Sequence, residues 1–335
     1  MLLSAVVDPA AFDESCFLIP GYKEHANFLL RAIRSNVVLL IDPNCQLKTK
    51  LISKVQGLPV RHGQSLQIQL VELLKQGNRR FVCCKPCDCS HSGDIDLLRV
   101  ASQISDRCRV DGLVVGTQTK ESLAASGYSG NSIVYLKDYS DSDFERLRHR
   151  FMEQLPPLDM LVIGEAGEIV SRPLRFTKWI RFYDKQIGSG SNTSHFRKGI
   201  EYVLGKWRAE GYFASDPGGV VEIITVEADP VRSGDDSHVQ GQKRERNKVA
   251  YEKIKSELVD RIRSKYPWDI KLYVKQDLNG IFHARHLQTQ SSIILFERGF
   301  DLFKPGGDLK RNILKVDNGS ADHLSQCSSL QEASF

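Results

Sequence analysis

Val37-Val38-Leu39-Leu40-Ile41-Asp42-Pro43-Asn44 is an unbroken aliphatic run closed by a turn signal. A strand with one wet face alternates apolar and polar residues. An unbroken run needs cover on both faces, which a parallel sheet flanked by helices supplies. Working outward, Leu47, Leu51, Ile52 and Val55 recur at helical spacing, and Leu66, Leu70, Leu73 and Leu74 mark a second helix. Arg80-Phe81-Val82-Cys83-Cys84, Gly112-Leu113-Val114-Val115 and Ser132-Ile133-Val134-Tyr135-Leu136 repeat the strand pattern. Helices starting at about Asp94 and over 142–154 lie between and after them. Such alternation predicts an α/β, Rossmann-like parallel-sheet domain over residues 1–157. It ends where Leu155-Pro156-Pro157-Leu158 breaks the last helix.

Residues 160–318 predict a second, mixed α/β domain. Trp179-Ile180-Arg181-Phe182-Tyr183 reads as a strand ending in Asp184-Lys185, followed by a helix over 192–211 and a strand over 220–226. Residues 228–248 are poor in apolar side chains and predict a mobile loop. Tyr251, Ile254, Leu258 and Ile262 stripe a helix, and strands are predicted over 270–274, 280–287 and 292–296. The Ser-rich tail, 319–335, is expected to fray.

The 335 residues are 41% hydrophobic and 26% charged, enough for buried cores. No apolar run reaches the roughly 18 residues of a transmembrane helix. The start of the chain lacks a basic n-region and meets Asp8 early, so no signal peptide is expected and a cytoplasmic location is predicted. The eight cysteines are then expected as reduced thiols or ligands. Charge is uneven. Residues 1–160 carry 19 basic and 18 acidic side chains, whereas 171–315 carry 27 and 18, a net of +9. That excess points to a phosphate-bearing partner or, more simply, to a solvated basic face. Lys243-Arg244-Glu245-Arg246-Asn247-Lys248 has the same two readings. There is no P-loop G-x-x-x-x-G-K-[ST] and no G-x-S-x-G elbow, which removes the commonest NTPase and hydrolase classes.

Chemistry concentrates in Phe282-His283-Ala284-Arg285-His286 and in Phe296-Glu297-Arg298-Gly299-Phe300-Asp301. On a strand, His283 and Arg285 share a face and His286 takes the other. An imidazole beside a guanidinium can grip a phosphate, with histidine as nucleophile or proton carrier. Arg298 and Asp301 could complete an anion site or form an ion pair, and a satisfied structural histidine is the alternative for His283.

Residues 175–318 resemble the phospholipase-D-like domain that follows MIT domains in eukaryotic abscission proteins, and its bacterial relatives. The likeness rests on Trp179-Ile180-Arg181-Phe182-Tyr183-Asp184-Lys185, on His283-Ala284-Arg285, and on Arg298-Gly299-Phe300-Asp301-Leu302-Phe303. It implies a phosphate site in which His283, Arg285 and Asp301 carry catalysis and Lys185, Arg298 and Asp184 hold the phosphate, with Asp184 or Asp301 orienting the histidine. It also implies metal-independent phosphodiesterase or nuclease action on nucleic acid, in bacteria within a defence system that could supply a protein partner. The alternative is a non-catalytic module for acidic phospholipid or a partner protein. The sequence departs from the catalytic signature: Arg285 replaces its lysine, Gln290 its aspartate, and Glu297-Arg298 its Gly-Ser. It carries a single such motif, and a homodimer could supply the second.

The first domain offers an alternative acidic site. Asp42, Asp94 and Asp96 at strand ends could converge on Mg²⁺ or Mn²⁺. The arrangement faintly resembles PIN-like nucleases, although Thr117-Gln118-Thr119 stands where that family has another aspartate. Asp42 also suits an ordinary turn and Asp94 a helix cap. Cys84 and Cys87, with Cys89 and His91, have the types for a zinc site, otherwise no cofactor is expected.

Overall fold

The computed structural model describes residues 3–84, 96–128, 130, 132–152, 155–215 and 218–335. The chain divides into two compact units, Leu2–Glu153 and Gln154–Phe335, and both are α/β. No helix among the described residues is long and apolar enough to cross a membrane.

The first unit is a five-stranded sheet of order β3-β2-β1-β4-β5, parallel throughout. Its strands are β1 (Leu3–Val7), β2 (Val37–Ile41), β3 (Phe81–Cys83), β4 (Gly112–Val115) and β5 (Ile133–Tyr135). The aliphatic part of that run, Val37–Ile41, is β2, and all of its residues are buried. The helices are α1 (Tyr22–Asn36), α2 (Gln46–Gly57), α3 (Val60–Lys75), α4 (Leu97–Cys108), α5 (Lys120–Ala125) and α6 (Asp143–Met152). The strand order reverses between β1 and β4, so their carboxyl ends flank the crevice where doubly wound sheets take ligands.

The second unit opens with α7 (Ile163–Ser171), followed by a six-stranded mixed sheet of order β11-β10-β9-β6-β7-β8. β6 (Trp179–Asp184), β7 (Val220–Val226) and β8 (Asp269–Lys275) are parallel. They are linked by α8 (Thr193–Glu210) and by α9 (Ser237–Ile254), which runs through a π turn (Lys255–Val259) into α10 (Asp260–Arg263). β9 (Arg285–Thr289) returns antiparallel against β6, pairing Arg285 with Asp184, and β10 (Ile293–Phe296) and β11 (Leu314–Val316) complete the antiparallel half. Trp207 and Trp268 pack in the core with ring centroids 4.2 Å apart and planes tilted by 33°.

Three expectations need correction here. Residues 228–248 are not a mobile loop throughout, because α9 starts at Ser237. Polar contacts replace the missing apolar periodicity: Asp236 caps the Val239 amide, Lys243 pairs with Asp235 and Asp229, and buried Asn247 donates to Glu227 and to the Asp229 carbonyl. The tail is not frayed, since it forms α11 (Ala321–Ser329). Leu324 and Cys327 pack there against Tyr183, Ile224, Phe282 and Ala284. Beyond it, Gln331 and Ala333 hydrogen-bond along the edge of β8. Finally, the strand predicted over 280–287 begins only at Arg285. Before it, both Asp277 carboxylate oxygens accept the Ile281 and Phe282 amides and hold a turn.

Candidate phosphate site

The carboxyl ends of β6 and β7 open onto a cavity of about 370 Å³ lined by Lys185, Gln186, Ser189, Val226, Glu227, Ala228, His283 and Arg285. Three elements deliver these side chains. Lys185 follows β6, Glu227 follows β7, and antiparallel β9 brings its amino end, with His283 and Arg285, to the same sheet edge. His283 lies before the strand rather than on it, yet it still shares the cavity with Arg285. Lys185 and His283 are exposed, and neither side chain is engaged by another described residue. Arg285 spends one nitrogen, Nη1, on the Glu297 carbonyl at 2.8 Å. The turn carrying Lys185 is pressed against β7, since a Cβ on Gly188 would lie 1.6 Å from the Val226 carbonyl oxygen.

Beneath the cavity, Asp184 is fully buried. Its Oδ1 accepts the Gln186 amide at 2.9 Å and its Oδ2 the Phe300 amide at 3.0 Å, which ties the Lys185 turn to the Arg298-Gly299-Phe300-Asp301 segment. Burial pushes its carboxyl up to about 6, against the opposing effects of those amides and of Arg285. Asp184 therefore positions the site from below and does not face a ligand. Asp301, expected beside the histidine, instead pairs with Lys310 at 2.5 Å and lies 3.7 Å from His195 Nδ1. Arg298 is exposed outside the cavity lining, with its amide on Asn312. Buried His286 pairs with Asp317 at 3.1 Å, as expected of a histidine on the opposite face. Gln290 follows β9 at the end remote from the cavity, because Thr289 pairs with Ile180 while Arg285 pairs with Asp184.

No family model, no curated protein and no solved structure matches this chain. Glu227, which the sequence reading overlooked, is the acidic group in the lining. It is 8% exposed; Oε2 accepts Asn247 Nδ2 at 3.2 Å, and Oε1 is buried with no hydrogen-bond partner. Burial raises its carboxyl above the ordinary range, nearby Asp229 adds to this, and Lys243 opposes it. A signal for it was present: it closes an apolar strand, as Asp42 does in the first half.

In the first unit the acidic candidates are taken up by backbone. Asp42 accepts the Leu47 amide at 2.8 Å and the Gln46 amide at 2.9 Å, and Asp96 caps α4 through the Arg99 amide at 3.2 Å. Asp94, Cys87, Cys89 and His91 lie outside the described residues. Cys84 is buried, with its sulfur against Cys108. At the β1–β4 crevice stands Asp8, also overlooked in the sequence. It accepts the Ala10 amide at 3.1 Å and Gln118 Nε2 at 2.5 Å, and burial pushes its carboxyl to about 6, with Asp13 and Asp96 adding to the rise. Among the described residues no group of three or more His, Cys, Asp or Glu side chains is placed to hold a metal ion.

Proposed function

We propose that the second unit is a phospholipase-D-like module whose cavity engages nucleic-acid phosphodiesters. The observation that carries this reading is the convergence of Lys185, His283, Arg285 and Glu227 on one cavity at the carboxyl ends of parallel strands. Lys185 and the free edge of the Arg285 guanidinium supply positive charge to the phosphate oxygens. The His283 ring, exposed and unengaged, attacks phosphorus as the bond to the leaving oxygen breaks. Glu227, whose burial favours its protonated form, passes a proton to that oxygen, and water then cleaves the phosphorus–nitrogen bond. Glu227 thus fills the part that Gln290, at the wrong end of β9, cannot take.

Labelled single- and double-stranded DNA and RNA, incubated with the full chain in EDTA or in Mg²⁺, test this. Chelator-resistant cleavage is expected, falling by about 100-fold or more in His283→Ala. In gel shifts, Lys185→Ala should lower the slope of log affinity against log salt by about one. Undiminished cleavage by His283→Ala overturns the assignment. Cleavage that requires metal and is lost in Asp42→Ala moves the chemistry to the first unit. A second reading, binding without cleavage to acidic phospholipid or a partner protein, is favoured by the commitment of Arg285 Nη1 to a backbone carbonyl. Flotation with anionic but not neutral vesicles, together with salt-sensitive shifts indifferent to His283, would establish it.

A further inference from the structure

Beside the cavity, α9 carries an aromatic stack at the surface. Asn247 donates to Glu227 of the cavity lining, and Ala250 packs so closely on Gly190, the neighbour of lining residue Ser189, that a Cβ added there would lie 2.9 Å from its Cα. Tyr251 follows directly. It shares a helix face with Asn247, so a single turn separates it from the lining. Its ring carries the ring of Phe335, with centroids 4.5 Å apart and planes tilted by 15°. Tyr266 and Trp268 also stack, but both are buried, whereas Phe335 is 46% exposed. Cations flank the pair. Lys243 and Arg246 are held by Asp229 and Asp235, while exposed Arg244 and Lys248 lie two turns and one turn before Tyr251 on one stripe of the helix.

Building on the phosphodiester reading of the cavity, we propose that Tyr251 is a base-stacking platform, that the ligand is a single strand of nucleic acid, and that a base of that strand displaces Phe335. A nucleobase is a flat ring, and on tyrosine it makes the near-parallel contact that Phe335 makes here. With one phosphate held by Lys185 and Arg285, the strand passes Glu227 and Asn247 to reach Tyr251, and Lys248 and Arg244 receive its next phosphates. A paired base is hidden between its neighbours, so a duplex gains nothing from the ring. Every base has a stacking face, so the platform adds affinity without reading sequence. Phe335 covers the ring when no strand is bound. Being half-exposed, it has less apolar contact to lose than a buried ring and yields to a base.

The test measures fluorescence anisotropy of labelled oligothymidylate, oligouridylate, an abasic strand of equal length and a duplex, with the full chain carrying His283→Ala so that the strands stay whole. Tyr251→Ala should weaken the base-bearing single strands by about tenfold or more and erase their advantage over the abasic strand. Phe335→Ala should tighten them by about two- to tenfold, because a competitor for the ring is gone. Tyr251→Phe, which keeps a ring, should bind as its parent does. Either sugar supports the platform, and the tighter strand names the ligand as DNA or RNA. Irradiation of bromouracil-substituted strands with the wild-type chain should attach them at Tyr251, a readout that stands even if an alanine variant folds poorly. Equal affinity for base-bearing and abasic strands, or a Tyr251→Ala deficit as large on the duplex as on the single strand, overturns the proposal. Salt-sensitive binding that falls in Lys185→Ala yet ignores Tyr251 and Phe335 removes the platform and leaves the phosphodiester reading standing, whereas no binding of any strand removes both.

Discussion

Replacing Asp8 with asparagine is expected to stabilise the first unit by up to about 3 kcal/mol at pH 7.5 and to change it little at pH 4. Asp8 is 2% exposed, and burial raises its carboxyl from 3.8 to about 6. At about 1.4 kcal/mol per pH unit, that difference is worth about 3 kcal/mol. The sign follows from proton counts. Between 3.8 and 6 the folded state binds the proton more tightly than the unfolded chain, so stability falls as pH rises through this window and levels off above it. The amide removes the buried charge and keeps its partners. Its oxygen can accept the Ala10 amide, and its nitrogen can donate to Gln118 once that side chain turns over to present Oε1, now buried without a partner. Urea unfolding at several pH values measures this. All three tryptophans, Trp179, Trp207 and Trp268, lie in the second unit, so far-UV circular dichroism rather than tryptophan fluorescence must report on the first. Equal destabilisation of Asp8→Asn at pH 4 and pH 7.5 would count against a buried-charge penalty.

Gly299→Ala should cost the second unit about 3 kcal/mol and abolish phosphate binding with it. Gly299 has a φ of +71°, a region in which a side chain costs about 1–2 kcal/mol. Its Cβ would also stand 2.1 Å from Oδ2 of buried Asp184, and relieving such a clash typically costs about 1–3 kcal/mol. The carboxylate cannot retreat without releasing the Phe300 amide it accepts. Since the same carboxylate holds the Gln186 amide beside Lys185, the cavity wall moves too. Tryptophan fluorescence in urea reads the loss as a lower midpoint at constant slope. Gly306→Ala, with open space around the added carbon, is the control and should leave the midpoint unchanged. A wild-type midpoint for Gly299→Ala would refute the packing of Asp184 against this turn.

Apolar patterning made the fold legible wherever burial alone shapes an element. β2, β4, β6 and β7 could be read because a buried parallel strand must be apolar on both faces. Their carboxyl ends could be located for the same reason, and Lys185, His283 and Arg285 lie at one such edge. Polar stabilisation was not legible. The first three turns of α9 rest on a cap, ion pairs and a buried asparagine, which look like a loop to any hydrophobic period. α11 buries Leu324 and Cys327 in the core, with Ala321 partly buried against it, too few to mark a helix. Asp301 was expected at the site through the resemblance, but Lys310 and His195 draw it aside, and Gln290, which replaces the aspartate of the signature, is carried away from the cavity by β9. Glu227 and Asp8 escaped notice because their interest comes from burial, which a sequence does not display residue by residue.

The pairing of residues 331–333 with β8 bears on how the protein behaves at high concentration. β8 ends the parallel side of the sheet, and an uncovered edge strand offers open amides and carbonyls to any other strand it meets. Gln276 donates to the Gln331 carbonyl, Ala333 donates to the Val274 carbonyl, and Lys275 reaches Glu332 at 3.5 Å. Residues 331–333 thus occupy backbone groups on the border of β8 that an incoming strand would otherwise engage.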